Sequence, residues 1–472
     1  MITVHYTAHS MRSFSHVSWS KRLAKLAAAA LLGSLIVPVS PVAVPFASAA
    51  GLGAGGEYHP LAPARIYDSR AESPVNEPNP GPKPATPSQL TFDIPLLNQG
   101  GVPNRPADVL SVVVNITVTE PTKDGWLNAY GAGAPAGTAS IVNFDTRAVV
   151  PNLSIVRPGT DGKLTIKLFT PSATGTAHVI VDVFGWFSTS SNADRGARLI
   201  PVSPGRLLDT RNAPNSPIPA GQSIPLQIRG AVAENGSTVP PSTDVVGVVL
   251  NLTGVNDVAS STGTFLSVVP ELAPGQVPGT SNVNLVRGQV KPNMVIVPVG
   301  TDGTVRIYNN SGAANVVVDV AGYLIANQDV STRAGRVVPL TSPFRVFDTR
   351  EAPWGAVSLG AGQAEDWSFA AFEESVNIGG IWVGPQSAVI GNFTSASLTP
   401  TVPTGTAASF LTVYPSDAAR PNASNLNTLS SGGPVPNLAI LKYSATTTVR
   451  VFNQQGFSHY LYDAAAVVLA DS

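Results

Sequence analysis

An eight-residue segment that returns three times constrains this chain more than any other feature. Pro63-Ala64-Arg65-Ile66-Tyr67-Asp68-Ser69-Arg70 recurs as Pro204-Gly205-Arg206-Leu207-Leu208-Asp209-Thr210-Arg211 and as Pro343-Phe344-Arg345-Val346-Phe347-Asp348-Thr349-Arg350. Later landmarks keep their order in every copy. Asn115-Ile116-Thr117 matches Asn251-Leu252-Thr253 and Asn392-Phe393-Thr394, Pro151-Asn152 matches Pro292-Asn293 and Pro436-Asn437, and Asp182 matches Asp319 and Asp463. A period of about 140 residues is too long for a solenoid turn or a propeller blade, so each copy reads as a domain. The spacing predicts copies over residues 58–187, 199–326 and 337–472, with short polar linkers at 188–198 and 327–336. Linkers this short should leave neighbouring copies in contact.

What precedes the first copy reads as an address. Arg12, Lys21, Arg22 and Lys25 lead into an Ala- and Leu-rich stretch, and Ala47-Ser48-Ala49 offers a small-residue cleavage site. This predicts a secretory signal over residues 1–49 and a flexible new N-terminus over 50–57. A membrane anchor is the competing reading, but Pro38, Pro41 and Pro45 break the second half of the apolar stretch. The remaining chain shows no further candidate span, so a secreted product is expected, retained at the cell surface or free. The absence of Cys excludes disulfides, Cys-ligated zinc and thiol catalysis. A net charge of −1 leaves no electrostatic footprint for nucleic acid.

Within a copy the pattern is that of strands. In Ser111–Thr119, Val112, Val114, Ile116 and Val118 fall on one face and Asn115, Thr117 and Thr119 on the other, as in a strand with one buried face. Asp161-Gly162 and Asp302-Gly303 supply tight hairpin turns, while the third copy has Ser444-Ala445-Thr446 there and needs a different turn. About eight strands per copy and no helix beyond two turns predict an all-β chain of three tandem β-sandwich, jelly-roll-like domains. With 12% charged and 43% hydrophobic residues, each can bury a core.

The charged residues that recur are the sharpest candidates. Arg65, Asp68 and Arg70, with Arg206, Asp209 and Arg211 and with Arg345, Asp348 and Arg350, form an Arg-x-x-Asp-x-Arg motif. On a regular strand Asp68 and Arg70 share one face and Arg65 takes the other. An Arg pair suits a clamp for carboxylate or phosphate, but in a charge-poor chain the favoured reading is an internal ion-pair network. Asp182, Asp319 and Asp463 sit in apolar closing strands, where a lone carboxylate needs a cation. They are expected to pair with an Arg of their own copy's motif, which places the first and last strands side by side. His178 and His459 precede two of these Asp by four residues, but Asn315 replaces them in the middle copy, and no metal is expected. The Asn-x-Thr triplets are read as hydrogen-bonding along one strand face. Trp354 and Trp382 occur only in the third copy, follow Pro or Gly-rich turns and are the candidates for stacking a sugar ring; Trp186, aligned with Tyr323, is expected in a core.

The Pro-x-Arg-Leu-Leu-Asp-Thr-Arg opening, the Asn-Leu-Thr centre and the Val-Asp-Val-x-Gly-Tyr closing strand resemble a repeat found in secreted proteins of actinobacteria and related bacteria. The resemblance covers residues from about 58 to 470. It implies a cell-surface or adhesion module and carries no defined catalytic residues. The expected function is therefore a non-catalytic secreted or surface structural and adhesion protein, without cofactor. Its partners would be a cell-wall or extracellular glycan or a surface protein. The second reading is a carbohydrate-binding protein that recognises cell-wall or environmental glycan.

Overall fold

The computed structural model describes residues 55–70, 83–85, 90–137, 139–171, 175–189, 192, 194–257, 263–329, 331–351, 354–355, 357–378, 381–396, 409–428 and 434–471. The leader assigned to 1–49 lies outside them, as do residues 50–54. Among the described residues no helix is long and apolar enough to cross a membrane.

The alternating sequences form antiparallel sheets, two per copy. In the first copy the opening strand Tyr58–Asp68 pairs with the closing strand Gly175–Ser188, then the central strand Val109–Thr119, then the Pro-Asn strand Val150–Val156. The second sheet runs Leu90–Pro95, Lys163–Phe169, Gly125–Gly131, Val142–Phe144. Taking these as eight main strands, the first sheet is ordered first, eighth, third, sixth and the second is ordered second, seventh, fourth, fifth. The other copies repeat both orders. Their opening, closing, central and Pro-Asn strands are Arg198–Asp209, Asn315–Ile325, Val245–Val255 and Val290–Pro298, and Val337–Asp348, His459–Leu469, Gln386–Ala396 and Val435–Lys442. The third copy adds a short helix, Ala370–Ser375, and a two-stranded ribbon, Asn377–Ile378 with Ile381–Trp382.

Three hydrophobic clusters lie between the paired sheets, one per copy. A fourth belongs to none of them. Phe184, Val113 and Ile155 of the first copy meet Val249, Met294 and Ile296 of the second and Ile390, Leu438 and Ile440 of the third. These side chains project from the first sheets on the face opposite the copy's own core. The central strand Val109–Thr119 is consequently buried along its whole length, not on one face alone. Its polar side, with Asn115 and Thr117, is covered by the neighbouring copy. The described residues from Gly55 onward belong to one compact unit.

The linkers and the new N-terminus take part in this closure. Gly56 exchanges backbone hydrogen bonds with Val337 at 2.8 and 2.9 Å, and Tyr58 with Ala197 at 2.7 and 2.8 Å. A Cβ on Gly56 would fall 2.1 Å from Ser188 O, so only glycine permits that approach. Residues 55–57 are thus fixed and buried, where the sequence suggested a flexible segment. The hairpin turns differ as their sequences require. Gly162 and Gly303 take φ of 77° and 82°, whereas in the third copy Thr447 adopts 54° and Ser444 Oγ accepts from the backbone of Thr446 and Thr448.

Candidate functional site

The opening strand carries a register break that the motif depends on. Arg65 lies opposite Asp182, the ladder shifts, and Tyr67 lies opposite Val181; the same break follows Arg206 and Arg345. This bulge corrects the regular-strand reading, which put Arg65 and Asp68 on opposite faces. One extra residue brings both toward the closing strand.

The result is one ion network in three copies. Arg65 Nε donates to Asp182 at 2.9 Å, Arg206 Nε to Asp319 at 2.5 Å and Arg345 Nε to Asp463 at 2.5 Å. The same arginines reach Asp68, Asp209 and Asp348 at 3.2, 3.3 and 2.5 Å. The second arginine of each motif, Arg70, Arg211 or Arg350, grips that middle Asp through two guanidinium nitrogens. Burial pushes Asp68, Asp209 and Asp348 up, but these donors outweigh it and hold them below the usual carboxylate range. At Asp182, Asp319 and Asp463 burial dominates over the arginine and the carboxyls are raised. The neighbouring copy helps seal the middle network, where Ser424 N donates to Asp319 at 3.1 Å.

A fourth member of the motif escaped sequence reading. Ser69 pairs with His178 at 2.9 Å, Thr210 with Asn315 at 3.0 Å and Thr349 with His459 at 3.2 Å. Both histidines therefore hold the opening strand to the closing one. Among the described residues no group of three His, Cys, Asp or Glu could hold a metal ion.

Between the copies a cycle of amides closes the ring. Asn293 Nδ2 donates to Asn115 Oδ1 at 3.0 Å, Asn437 to Asn251 at 2.8 Å and Asn152 to Asn392 at 2.9 Å. In return Leu153 N donates to Asn293, Met294 N to Asn437 and Leu438 N to Asn152. The Asn of each Asn-x-Thr triplet also donates across a seam, to the carbonyl of Ser281, Ser424 or Ser140. Only Asn392 bonds its own Thr394 as well, at 3.2 Å, so these triplets join copies more than they brace a strand. Where the three opening segments meet, buried Glu57 accepts from Arg195 at 2.9 and 2.8 Å and from Arg198 at 3.2 Å.

Trp354 is half-buried against the third core. The side chain of Trp382 lies outside the described residues. Trp186 is buried in the first core and stacks on His59 with centroids 4.1 Å apart.

The seam between the first two copies opens into a cleft of about 500 Å3. The loop Asp145–Val149 forms one wall; Phe265, Asn284, Gln289, Lys291 and Asn310 of the second copy form the other. Lys291 also borders a smaller hollow where Pro151, Pro292 and Pro436 meet. Its Nζ donates to Val149 O at 2.9 Å. Burial lowers the ammonium to about 8, against a weaker upward pull from Asp145.

Fold and network together define an all-β protein of six main antiparallel sheets closed in a ring, with its recurrent charges paired to one another. No family model matches the chain, and no curated protein matches it. Among solved structures it is similar to a chain from a study of the triple jelly roll fold and turret assembly in an archaeal virus, at 10% identity over 88% of this chain and 91% of that one, TM-score 0.16. The N-terminal CBM22-1–CBM22-2 tandem domain of Paenibacillus barcinonensis Xyn10C matches at 11% identity over 58% and 99%, TM-score 0.14. A chain of the Sulfolobus turreted icosahedral virus matches at 9% identity over 87% and 99%, TM-score 0.17. Likenesses of this size transfer no function.

Proposed function

We propose that the chain is a non-catalytic protein of the cell exterior, a structural and adhesion scaffold of three jelly-roll copies that follows a cleaved leader. The observation that carries this reading is the fate of the motif. The twelve recurrent Arg and Asp residues bind one another between the first and last strands of each copy, so the strongest chemical signature in the sequence serves architecture. Ring closure adds a second support, because a body stapled across every seam suits a load-bearing surface role. The resemblance of the opening and closing motifs to secreted actinobacterial repeats points the same way. The test is fractionation of the producing cells together with pull-down of the purified chain on isolated walls. Enrichment at the wall is the expected result. A chain confined to the cytoplasm, or one that hydrolyses a peptide, ester or glycan and loses this on a single substitution, would overturn the proposal.

A second reading, recognition of a glycan, is favoured by one feature. The seam cleft combines the Phe265 ring with the amides of Asn284, Gln289 and Asn310, the mixture of apolar face and hydrogen-bonding groups that a sugar requires. A glycan array probed with the full chain tests it.

A further inference from the structure

We propose that the seam cleft binds a saccharide bearing a carboxylate, held by Lys291 and Arg147 and stacked on Phe265. The proposal rests on the glycan reading above and names its ligand.

The argument begins with a break in the repetition. Lys291 lies in the Pro-Asn strand of the second copy, just before the recurrent pair Pro292-Asn293, and the same place is Val150 in the first copy and Val435 in the third. Where its siblings are apolar, the second copy sets a half-buried ammonium. Packing would be met by valine, as the other two seams show. A cation removed from water calls for a counter-charge. The recurrent networks supply one, as Asp182 does for Arg65 and Glu57 for Arg198. Among the described residues Lys291 has no acid at ion-pair distance: Asp145 acts on it from further off, and its hydrogen-bond partner is a backbone carbonyl, Val149 O. Of the three N–H groups on an ammonium, two remain for something in the cleft.

The rest of the lining narrows that something. Arg147 stands exposed on the rim, its backbone held in the left-handed region at φ 65° by the turn that places it there. Asp145 is the lone acid of the lining; Asp124, just outside it, is engaged by Thr146 N and Oγ1. Lys291 and Arg147 therefore face one carboxylate within the cleft, which suits a singly charged anion better than a doubly charged phosphate. Phe265 supplies an apolar face on the opposite wall, and Asn284, Gln289 and Asn310 supply donors and acceptors for hydroxyls. A volume of about 500 Å3 falls within the range of small-ligand sites. An acidic sugar ring with part of its neighbour satisfies charge, face and hydroxyl partners together.

The test is titration calorimetry of the purified full chain with trigalacturonate, with its methyl ester, with cellotriose and with glucose 1-phosphate. Two variants accompany it, Lys291→Val and Phe265→Ala. The valine already occupies this place in the sister copies, so the first variant should keep the melting temperature of the parent. Binding of trigalacturonate, at least tenfold weaker in both variants and at least tenfold weaker for the ester and cellotriose, is the expected result. Equal affinity of Lys291→Val and the parent would overturn the assignment, as would tighter binding of glucose 1-phosphate than of the uronate. If the chain binds walls or neutral glycans while ignoring trigalacturonate, the carboxylate proposal fails and the glycan reading stands. Binding to no glycan at all overturns both.

Discussion

An aspartate set among valines, as Asp319 is between Val318 and Val320, has two ways to exist in a fold: as a paired anion or as a neutral acid. Here Arg206 and the backbone N–H of Ser424 supply the pairing, while burial still raises the carboxyl. Asp319→Ala removes the anion and leaves Arg206, itself buried, with Asp209 alone. Breaking a buried pair from one side costs about 3–5 kcal/mol. Asp319→Asn keeps one acceptor oxygen, enough for Arg206 or for Ser424 N but not for both, and should lose less than alanine. Urea unfolding at neutral pH ranks the two variants, and an alanine variant as stable as the parent would show that the pair contributes nothing. Three tandem domains, as the sequence predicts, would confine this loss to the middle copy. The fourth cluster changes that expectation, because Val249, Met294 and Ala321 of this copy pack against both sister copies. The loss should appear as a shift of one shared transition.

The elements show where sequence patterning informs and where it stops. Alternation in Val109–Thr119 made the strand legible, and the scarcity of charge made the Arg and Asp positions stand out. The bulge after Arg65 was not legible, since the adjacent apolar pair Ile66-Tyr67 also fits a strand buried on both faces. Burial of the polar strand face was hidden for a related reason. Asn115 looks solvent-facing because its partners, Asn293 and Ser281, come from a copy over 160 residues away. The seam cleft was hidden too, since it joins loops of different copies. The linkers misled in the opposite sense. Polar and short, they read as spacers, yet Arg195 and Arg198 bind Glu57 and lock three opening strands together. Burial raises the Glu57 carboxyl, but hydrogen bonds from Arg195, Arg198 and Gly196 N outweigh it and hold it below its ordinary value. A carboxylate lowered in this way stabilises the fold fully above its unfolded value of about 4.3. That stabilisation is lost as the pH falls through the lower folded value. Glu57→Gln should therefore lower the melting temperature at pH 7 and narrow the gap to the parent below about pH 4. A gap that stays constant from pH 7 to pH 3 would remove Glu57 from the acid response.

At the scale of the whole molecule the question is whether one copy is a sufficient fold. Each has its own cluster between two sheets, which argues for independence. Against it stands the other face of the first sheet. In the middle copy Leu199, Val249, Met294, Ile296, Ala321 and Leu324 are all buried in the shared cluster. Cut free, that copy would present them to water as one apolar patch, at roughly 1.5–3 kcal/mol for each large side chain. Their sum rivals the entire stability of an ordinary domain. The same copy also carries both halves of a seam. Its Asn251 is the acceptor that the next copy's Asn437 uses, and its Asn293 is the donor that the previous copy's Asn115 receives. Head-to-tail contacts of this kind close into rings when the rotation permits, and here three steps close one. Residues 199–326 expressed alone should therefore assemble into a homotrimer, each chain taking the place of one copy, with the ring of Asn293 and Asn251 amides rebuilt between chains. Sedimentation equilibrium gives the mass directly. Asn293→Leu, which removes the cross-seam donor and the acceptor for the backbone N–H across the seam, should weaken the trimer, with strand content by circular dichroism lost on the dilution that dissociates it. A stable monomer that melts cooperatively near the temperature of the full chain would mean that each copy is complete in itself, and that the ring merely joins three finished domains.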